Sequence, residues 1–411
     1  MSSELLFLLG GVVVIGFLGN AFFERTGIPD ILLLLGIGLL LGPVFNVVSP
    51  DKARPFMSAF GTIAFTIILF EGGLDLDLRD TIRQSGRALL LVVFSFGLTI
   101  FLLYYALVVG LGASGKTAWA VAAALACTSS PIVIPVLRKL APDSPMRPLL
   151  AVESALSDAL AVMTVLAIIG RGNGDISGAS LLGTLGMSFL IGGGAAIVSG
   201  ICWLWLLSHL YNRRFFYLVT VGFVFLLMGT VEAFHGSGAF AVFLFGIILA
   251  NGERLLGVFG SRLRDRARQL FADGHVALHP RISDSHAEIS FLIRSFFFVY
   301  LGIIFRWPGD DMRMWLTIPI VGFSIVVGRE IAVRLAAWTT RIPPGERGLL
   351  KIMIPRGFAT AVLAAILMSR AEENSPSWDT LATFIVLISN LWMTLRLPRA
   401  ISRNVARAKG E

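Results

Sequence analysis

Two carboxylates stand five residues apart in an otherwise apolar stretch, Glu153 and Asp158 in Ala151-Val152-Glu153-Ser154-Ala155-Leu156-Ser157-Asp158-Ala159-Leu160. An ionisable side chain at the centre of a bilayer costs about 2.5–3.5 kcal/mol on insertion scales, so each one requires a partner or a function. At about 100° per residue the two acids point to different sides of one helix, cannot share a proton and have separate roles. Candidate counter-charges are Arg329 with Glu330 in Gly328-Arg329-Glu330, Arg334 nearby, and Arg356 in Ile354-Pro355-Arg356-Gly357. Arginine stays protonated in a poor dielectric, so a buried one takes an anion or a set of carbonyls. Glu153 is the expected partner, in an ion pair that fixes helix packing. Asp158 beside Ser157 is a poor packing device and is expected to titrate and to bind a cation.

Two further stretches interrupt their own helices. Cys127-Thr128-Ser129-Ser130-Pro131 is followed by Pro135, and Pro355-Arg356-Gly357 breaks a second run. Proline removes a backbone donor while the hydroxyls offer oxygen ligands. Broken helices at two distant places in a sequence are what inverted-repeat transporters cross at the bilayer midplane to form a binding site; ordinary proline kinks are the plainer alternative.

These residues sit in a chain built for lipid. Of 411 residues 56% are hydrophobic and 15% charged, with a mean hydropathy of +0.81. Apolar runs long enough to cross a hydrocarbon core of about 30 Å recur throughout, which predicts an all-α membrane protein with about thirteen transmembrane helices. The runs are 5-23, 29-48, 56-74, 86-111, 116-140, 147-170, 181-207, 214-234, 236-251, 288-306, 313-339, 346-370 and 378-397. The start Met1-Ser2-Ser3-Glu4 lacks a basic leader region, so the first run is expected to be retained as a span.

With the N-terminus outside, the cytoplasmic loops and tail hold about 24 Lys and Arg against about 7 outside, which sets the orientation and puts the C-terminus in the cytoplasm. Arg396, Arg399, Arg403, Arg407 and Lys409 then lie inside, as does the loop 252-288, where Arg262, Arg264, Arg266 and Arg268 suggest an interfacial helix. His275, His279 and His286 belong to that region as a candidate pH sensor, or as plain solvated histidines. A net charge of +8 suits lipid head groups better than nucleic acid, because the basic residues lie between spans. Cys127 and Cys202 sit in apolar segments as packing residues and give neither a disulfide framework nor a metal cluster. No GxxxxGK[ST] loop is present, which removes the primary pump. A membrane enzyme lacks its metal cluster or activated nucleophile.

With those residues in view, the sequence resembles the monovalent cation:proton antiporter superfamily and, within it, the sodium/proton exchanger branch. The marks are Leu41-Gly42-Pro43, Leu69-Phe70-Glu71-Gly72-Gly73-Leu74, the Thr-Ser-Ser-Pro break, the Glu153 to Asp158 element, Gly328-Arg329 and Pro355-Arg356-Gly357. The resemblance implies a homodimer of subunits with about thirteen helices and inverted repeats containing two crossed discontinuous helices. Interface helices would occupy 1-85 and 171-312, core helices 86-170 and 313-400, and a basic tail 401-411. Carried over by position, Asp158 binds cation or proton, Thr128, Ser129, Ser154 and Ser157 are neighbouring oxygen ligands, and Glu153 pairs with Arg329 or Arg356. The family often has Asn-Asp at Ser157-Asp158 and Thr-Asp-Pro at Ser129-Ser130-Pro131, so two site groups differ here.

The implied function is exchange of Na+, K+ or Li+ for protons by alternating access in a bacterial inner membrane, electroneutral at one for one. The transported ions would be the only ligands, with no cofactor. A channel or permease without obligatory proton exchange is the competing expectation.

Overall fold

The computed structural model describes the chain apart from residues 1, 27, 49–55, 75, 77, 141–143, 145, 171–177, 211–215, 253–254, 256–279, 341, 343, 370–375 and 409–411. The described residues are helical, without strands. Helices α1 (Ser2–Thr26), α2 (Asp30–Leu39, prolonged by a π-helical turn Leu40–Val44), α3 (Phe56–Leu74) and α4 (Leu78–Leu111) open the chain. A broken pair follows, α5 (Gly115–Ala126) and α6 (Ser130–Leu140), and then the continuous α7 (Arg147–Gly170). Next come α8 (Gly178–Leu210), α9 (Phe216–Ala233), α10 (Gly238–Ala250), α11 (Pro280–Ile303) and α12 (Met312–Thr340). A second broken pair, α13 (Pro344–Ile352) and α14 (Phe358–Ser369), precedes α15 (Trp378–Ala408).

Each expected run falls on a helix or on a broken pair, including the short run 236-251, where the Ser237 hydroxyl caps α10 by accepting the Phe240 N–H. Three helices run well past their apolar runs: α4 begins at Leu78, α11 begins at Pro280, and α15 continues to Ala408 through most of the expected tail 401-411. Hydropathy marks the part of a helix that faces lipid, whereas backbone hydrogen bonding carries the helix on into water. The 252-288 loop with its four arginines, and His275 and His279, lie outside the described residues; His286 lies on α11, its side chain outside them.

The chain divides into two compact units. One contains Met1–Thr62, Ser85–Gly172 and Arg294–Glu411, and so holds both broken pairs; the other contains Ile63–Gln84 and Asn173–Ile293. Inside each unit a pair of helices crosses on glycine. In the first, a Cβ on Gly302 of α11 would run into the Leu35 carbonyl and the Cα of Gly38 on α2. In the second, a Cβ on Gly246 of α10 would meet the Phe70 carbonyl and the Cα of Gly73 on α3. Lipid tails give no hydrophobic drive for helix association, so backbones brought together by small residues supply the packing energy. The half-helices α5 and α14 use alanine in the same way, with Ala120, Ala122, Ala123, Ala359, Ala361 and Ala364 all buried.

Gly302→Val is expected to cost about 1–3 kcal/mol or more through overpacking at the α2–α11 crossing, read as a lower unfolding midpoint of the detergent-solubilised protein. Gly36→Ala, whose added Cβ meets nothing, should leave the midpoint in place.

Candidate ion-binding site

The two breaks begin as proline chemistry. A helix continuing through Pro131 would lose the bond to the Cys127 carbonyl and clash with it, and Pro355 does the same to Lys351. Cys127 accordingly leaves α5 in an extended conformation, φ −72° and ψ 147°. The freed backbone groups find one another across the crossing. The Ser129 N–H donates to the Pro355 carbonyl at 2.9 Å, the Arg356 N–H to Ser389 Oγ at 2.9 Å, and Asn390 Nδ2 to the Arg356 carbonyl at 2.8 Å. Gly357 is required here because a Cβ would strike Ser129 Oγ and approach Ile132 Cδ1 to 2.7 Å.

The four charges of this region are all buried, at 1% exposure for Glu153 and Arg329 and 2% for Asp158 and Arg356. Glu153 pairs with Arg329 through two bonds, Nη1 to Oε1 at 2.8 Å and Nη2 to Oε2 at 3.3 Å. The rest of that guanidinium is satisfied as well: Nε donates to the Leu350 carbonyl at 2.8 Å and Nη1 to Ser95 Oγ at 3.2 Å. Arg356, the other candidate for Glu153, instead donates Nε to the Leu125 carbonyl at 2.8 Å and Nη1 to the Ile354 carbonyl at 3.0 Å. It caps the truncated C-terminus of α5, where the last carbonyls lack intrahelical partners and the helix dipole is negative. Arg334 and Glu330 belong to the surface: Glu330 binds Arg334 at 2.8 Å and Lys351 at 2.6 Å.

Asp158 stands at the opposite kind of helix end. Its Oδ2 accepts the backbone N–H of Ser130 at 3.2 Å and the Ser130 hydroxyl at 2.8 Å. Ser130 opens α6, so that N–H is one of the unsatisfied donors at a positive helix terminus. Oδ1 has no nitrogen or oxygen partner, and the thiol of Cys127 lies beside the carboxyl. One oxygen is held by Ser130, and the other is buried without a nitrogen or oxygen partner.

The remaining expected ligands divide between the two acids. Thr128 Oγ1 donates to Glu153 Oε1 at 3.3 Å and lies 2.9 Å from Ser157 Oγ, which also accepts the Thr128 N–H at 3.1 Å. Ser157 donates to the Ser154 carbonyl at 2.8 Å, and the Ser154 hydroxyl turns back to the Ala151 carbonyl at 3.1 Å. Ser129 Oγ is buried without a partner. In this conformation Thr128 and Ser157 lock the break to the Glu153 side of α7, and Ser130 is the residue bonded to Asp158.

Ser130 is not among the expected ligands, since its position departs from the family pattern, yet it is the residue that bonds Asp158. The signal for it was present, since Ser followed by Pro at a helix start marks an N-terminus with free donors. Ser95, Ser389 and Asn390 carried no such signal. Arg294, inside the 288-306 run, was also missed; it stands 3.5 Å from Asp30 in a second, looser ion pair.

Crossed half-helices with charges placed at their broken ends define a membrane transport protein. The transmembrane sodium/hydrogen exchanger profile matches residues 11–398. The chain belongs to the sodium/hydrogen exchanger family. It is 23% identical over 373 residues to Na(+)/H(+) antiporter 1 of Methanocaldococcus jannaschii, covering 87% of this chain and 81% of that protein. It is 23% identical over 402 residues to the K(+)/H(+) antiporter NhaP2 of Shewanella sp. (strain MR-4), covering 94% of this chain and spanning 64% of that relative's length. The fold is similar to the solved structure of the sodium proton antiporter MjNhaP1 from Methanocaldococcus jannaschii at pH 8, with a TM-score of 0.69, 21% identity and coverage of 99% and 97% of the two chains.

Breaking one side of a fully buried ion pair strands a charge. Glu153→Gln and Arg329→Gln are each expected to cost about 3–5 kcal/mol of stability, and the double variant less than the sum. Unfolding of the three proteins in detergent checks this.

Proposed function

We propose that this protein is a secondary antiporter that exchanges a monovalent cation for protons through Asp158. The observation that carries the reading is a buried carboxylate at the crossing of two broken helices, with Oδ2 held by Ser130 and Oδ1 open. A carboxylate in that setting takes either a proton or a cation, and each excludes the other. The charges make the two loaded states equivalent. Glu153 is neutralised by Arg329, so a proton and a monovalent cation each neutralise the one remaining carboxylate, Asp158. In this reading the core moves with the Asp158 carboxylate neutralised by either ligand and stalls with it bare and ionised; obligatory exchange follows.

Hard oxygen donors suit Na+, Li+ or K+. The names of the relatives include both Na+ and K+ exchangers, and the choice between them here rests on how Ser129, Ser154 and Ser157 turn once the ion is bound. With Ser130 and Ser157 where the family often has Asp and Asn, Asp158 is the single titrating group proposed for the exchange. One cation then crosses per proton, and a difference of one pH unit supplies about 1.4 kcal/mol. The helices of 86-170 and 313-400 form the moving core in this reading, and those of 1-85 and 171-312 form the interface of a homodimer. The N-terminus faces out and the C-terminus faces the cytoplasm of a bacterial inner membrane. Transport needs no cofactor and no bond chemistry.

In proteoliposomes given a cation pulse, Asp158→Asn should abolish the change of internal pH, while Cys202→Ser, altered at an exposed position, should exchange as the parent does. Full exchange by Asp158→Asn would end the assignment, and cation flux without proton counterflow would make the protein a channel. Lowering the external pH should raise the apparent KM for the cation and leave the maximal rate unchanged, because the two ligands compete. An imposed potential of about 100 mV should leave the rate unchanged; two protons per cation would couple about 2.3 kcal/mol to it.

A further inference from the structure

One face of the first unit carries a cavity that plays no part in the carboxylate site. It measures about 330 Å³ and lies between α12 and α15. Its wall is almost entirely apolar, formed by Pro319, Gly322 and Phe323 on one side and Ile385, Ile388 and Trp392 on the other. Pro319 lies inside α12 and interrupts its ladder, and Gly322 contributes no side chain, so the two helices leave a gap where a larger residue would close it. Phe323 is 70% exposed and Ile388 38%, so the gap opens on the outer surface of the helices. Its floor reaches the second break: Ser389 Oγ holds the Arg356 N–H, and the Ile354 carbonyl holds Arg356 Nη1.

A cation marks one end of this groove. Arg396 is exposed, and its guanidinium stacks over the Trp392 ring at 4.0 Å. Among the described residues no carboxylate pairs with it. It stands near the end of the apolar part of α15, which closes at Pro398, whereas Ile385 lies about 16 Å deeper at 1.5 Å per residue. A positive charge at head-group depth above an apolar slot at acyl depth matches one amphiphile with a negative head.

We propose that the α12–α15 groove binds an anionic phospholipid, its phosphate on Arg396 and one acyl chain laid against Gly322 and Trp392 down to Ser389. A zwitterionic lipid fills the slot equally well and also brings a phosphate, but its ammonium cancels the net charge and weakens the hold on the guanidinium. Filling the slot braces α15 against the Arg356 break by contact alone.

The test uses the purified full chain. Native mass spectrometry after equilibration with phosphatidylglycerol and phosphatidylcholine counts the lipid retained by the parent, by Arg396→Gln and by Gly322→Leu. The Gly322 position accepts a side chain, since an added Cβ would touch Ile388 Cγ2 at an ordinary 3.6 Å. Loss of the one basic contact is expected to weaken phosphatidylglycerol retention about fivefold in Arg396→Gln and phosphatidylcholine retention less, because the ammonium of that head group already offsets its phosphate. Gly322→Leu should lose both lipids by steric filling. Equal phosphatidylglycerol retention by all three proteins would overturn the proposal, as would full competition by inorganic phosphate, which would reduce the site to a head-group contact. The second arm rests on the exchange reading: parent proteoliposomes should exchange faster in phosphatidylglycerol than in phosphatidylcholine, and both variants should lose that difference. The vesicle surface potential acts on all three proteins alike, so an undiminished difference in the variants refutes the bracing. Retention is scored without transport, so a failure of the lipid site and a failure of the antiport reading are told apart.

Discussion

A helix that stops inside a hydrocarbon layer leaves carbonyls at one end and N–H groups at the other with no water to take them, and this protein does so twice in one place. The rest of the first unit is arranged around meeting that cost. The breaks bond to each other through Ser129 and Pro355, α15 supplies Ser389 and Asn390 to the second break, and Arg356 closes the carbonyl end of α5. What remains is the N-terminus of α6, which receives the carboxylate of Asp158 through Ser130. The carboxylate proposed as the ion site thus also completes the fold. Its attachment through a single oxygen leaves the other available.

The two acids of α7 show how identical chemistry acquires different roles from position alone. Glu153 is fully engaged, with two bonds from Arg329 and one from Thr128, and gives the broken helix a fixed reference on α7. Asp158, on another face of the same helix, meets Ser130 and the thiol of Cys127 among the described residues. A charge paired this closely is stable as it stands, whereas one left half-satisfied gains by taking a ligand. That contrast separates the paired acid from the one proposed to carry the exchange.

Packing elsewhere follows the same economy of small residues. Gly38 against Gly302 and Gly73 against Gly246 bring backbones into contact, and the alanines of α5 and α14 let the half-helices approach. Where a small residue faces no filling partner, as Gly322 does beside Pro319, the surface keeps a groove instead. Close contacts hold the core together, and the groove lies beside the break that carries Arg356.

Much of this was legible in the chain itself. Apolar runs located the fifteen helices named among the described residues, prolines located both breaks, and the cost of intramembrane charge singled out Glu153, Asp158, Arg329 and Arg356, because each signal is local and bears directly on backbone or solvation energy. The runs did not locate the polar ends of α4, α11 and α15, which hydropathy does not register. Nor did they decide between Arg329 and Arg356 as the partner of Glu153, assign Ser130 rather than Ser157 to Asp158, or reveal Ser95, Ser389 and Asn390 around the crossing. Those pairings join residues up to 234 positions apart, Ser95 with Arg329 among them. They depend on which faces of separate helices meet, and only tertiary packing fixes that, because a hydroxyl or a guanidinium has the same affinity for many partners until geometry leaves it one.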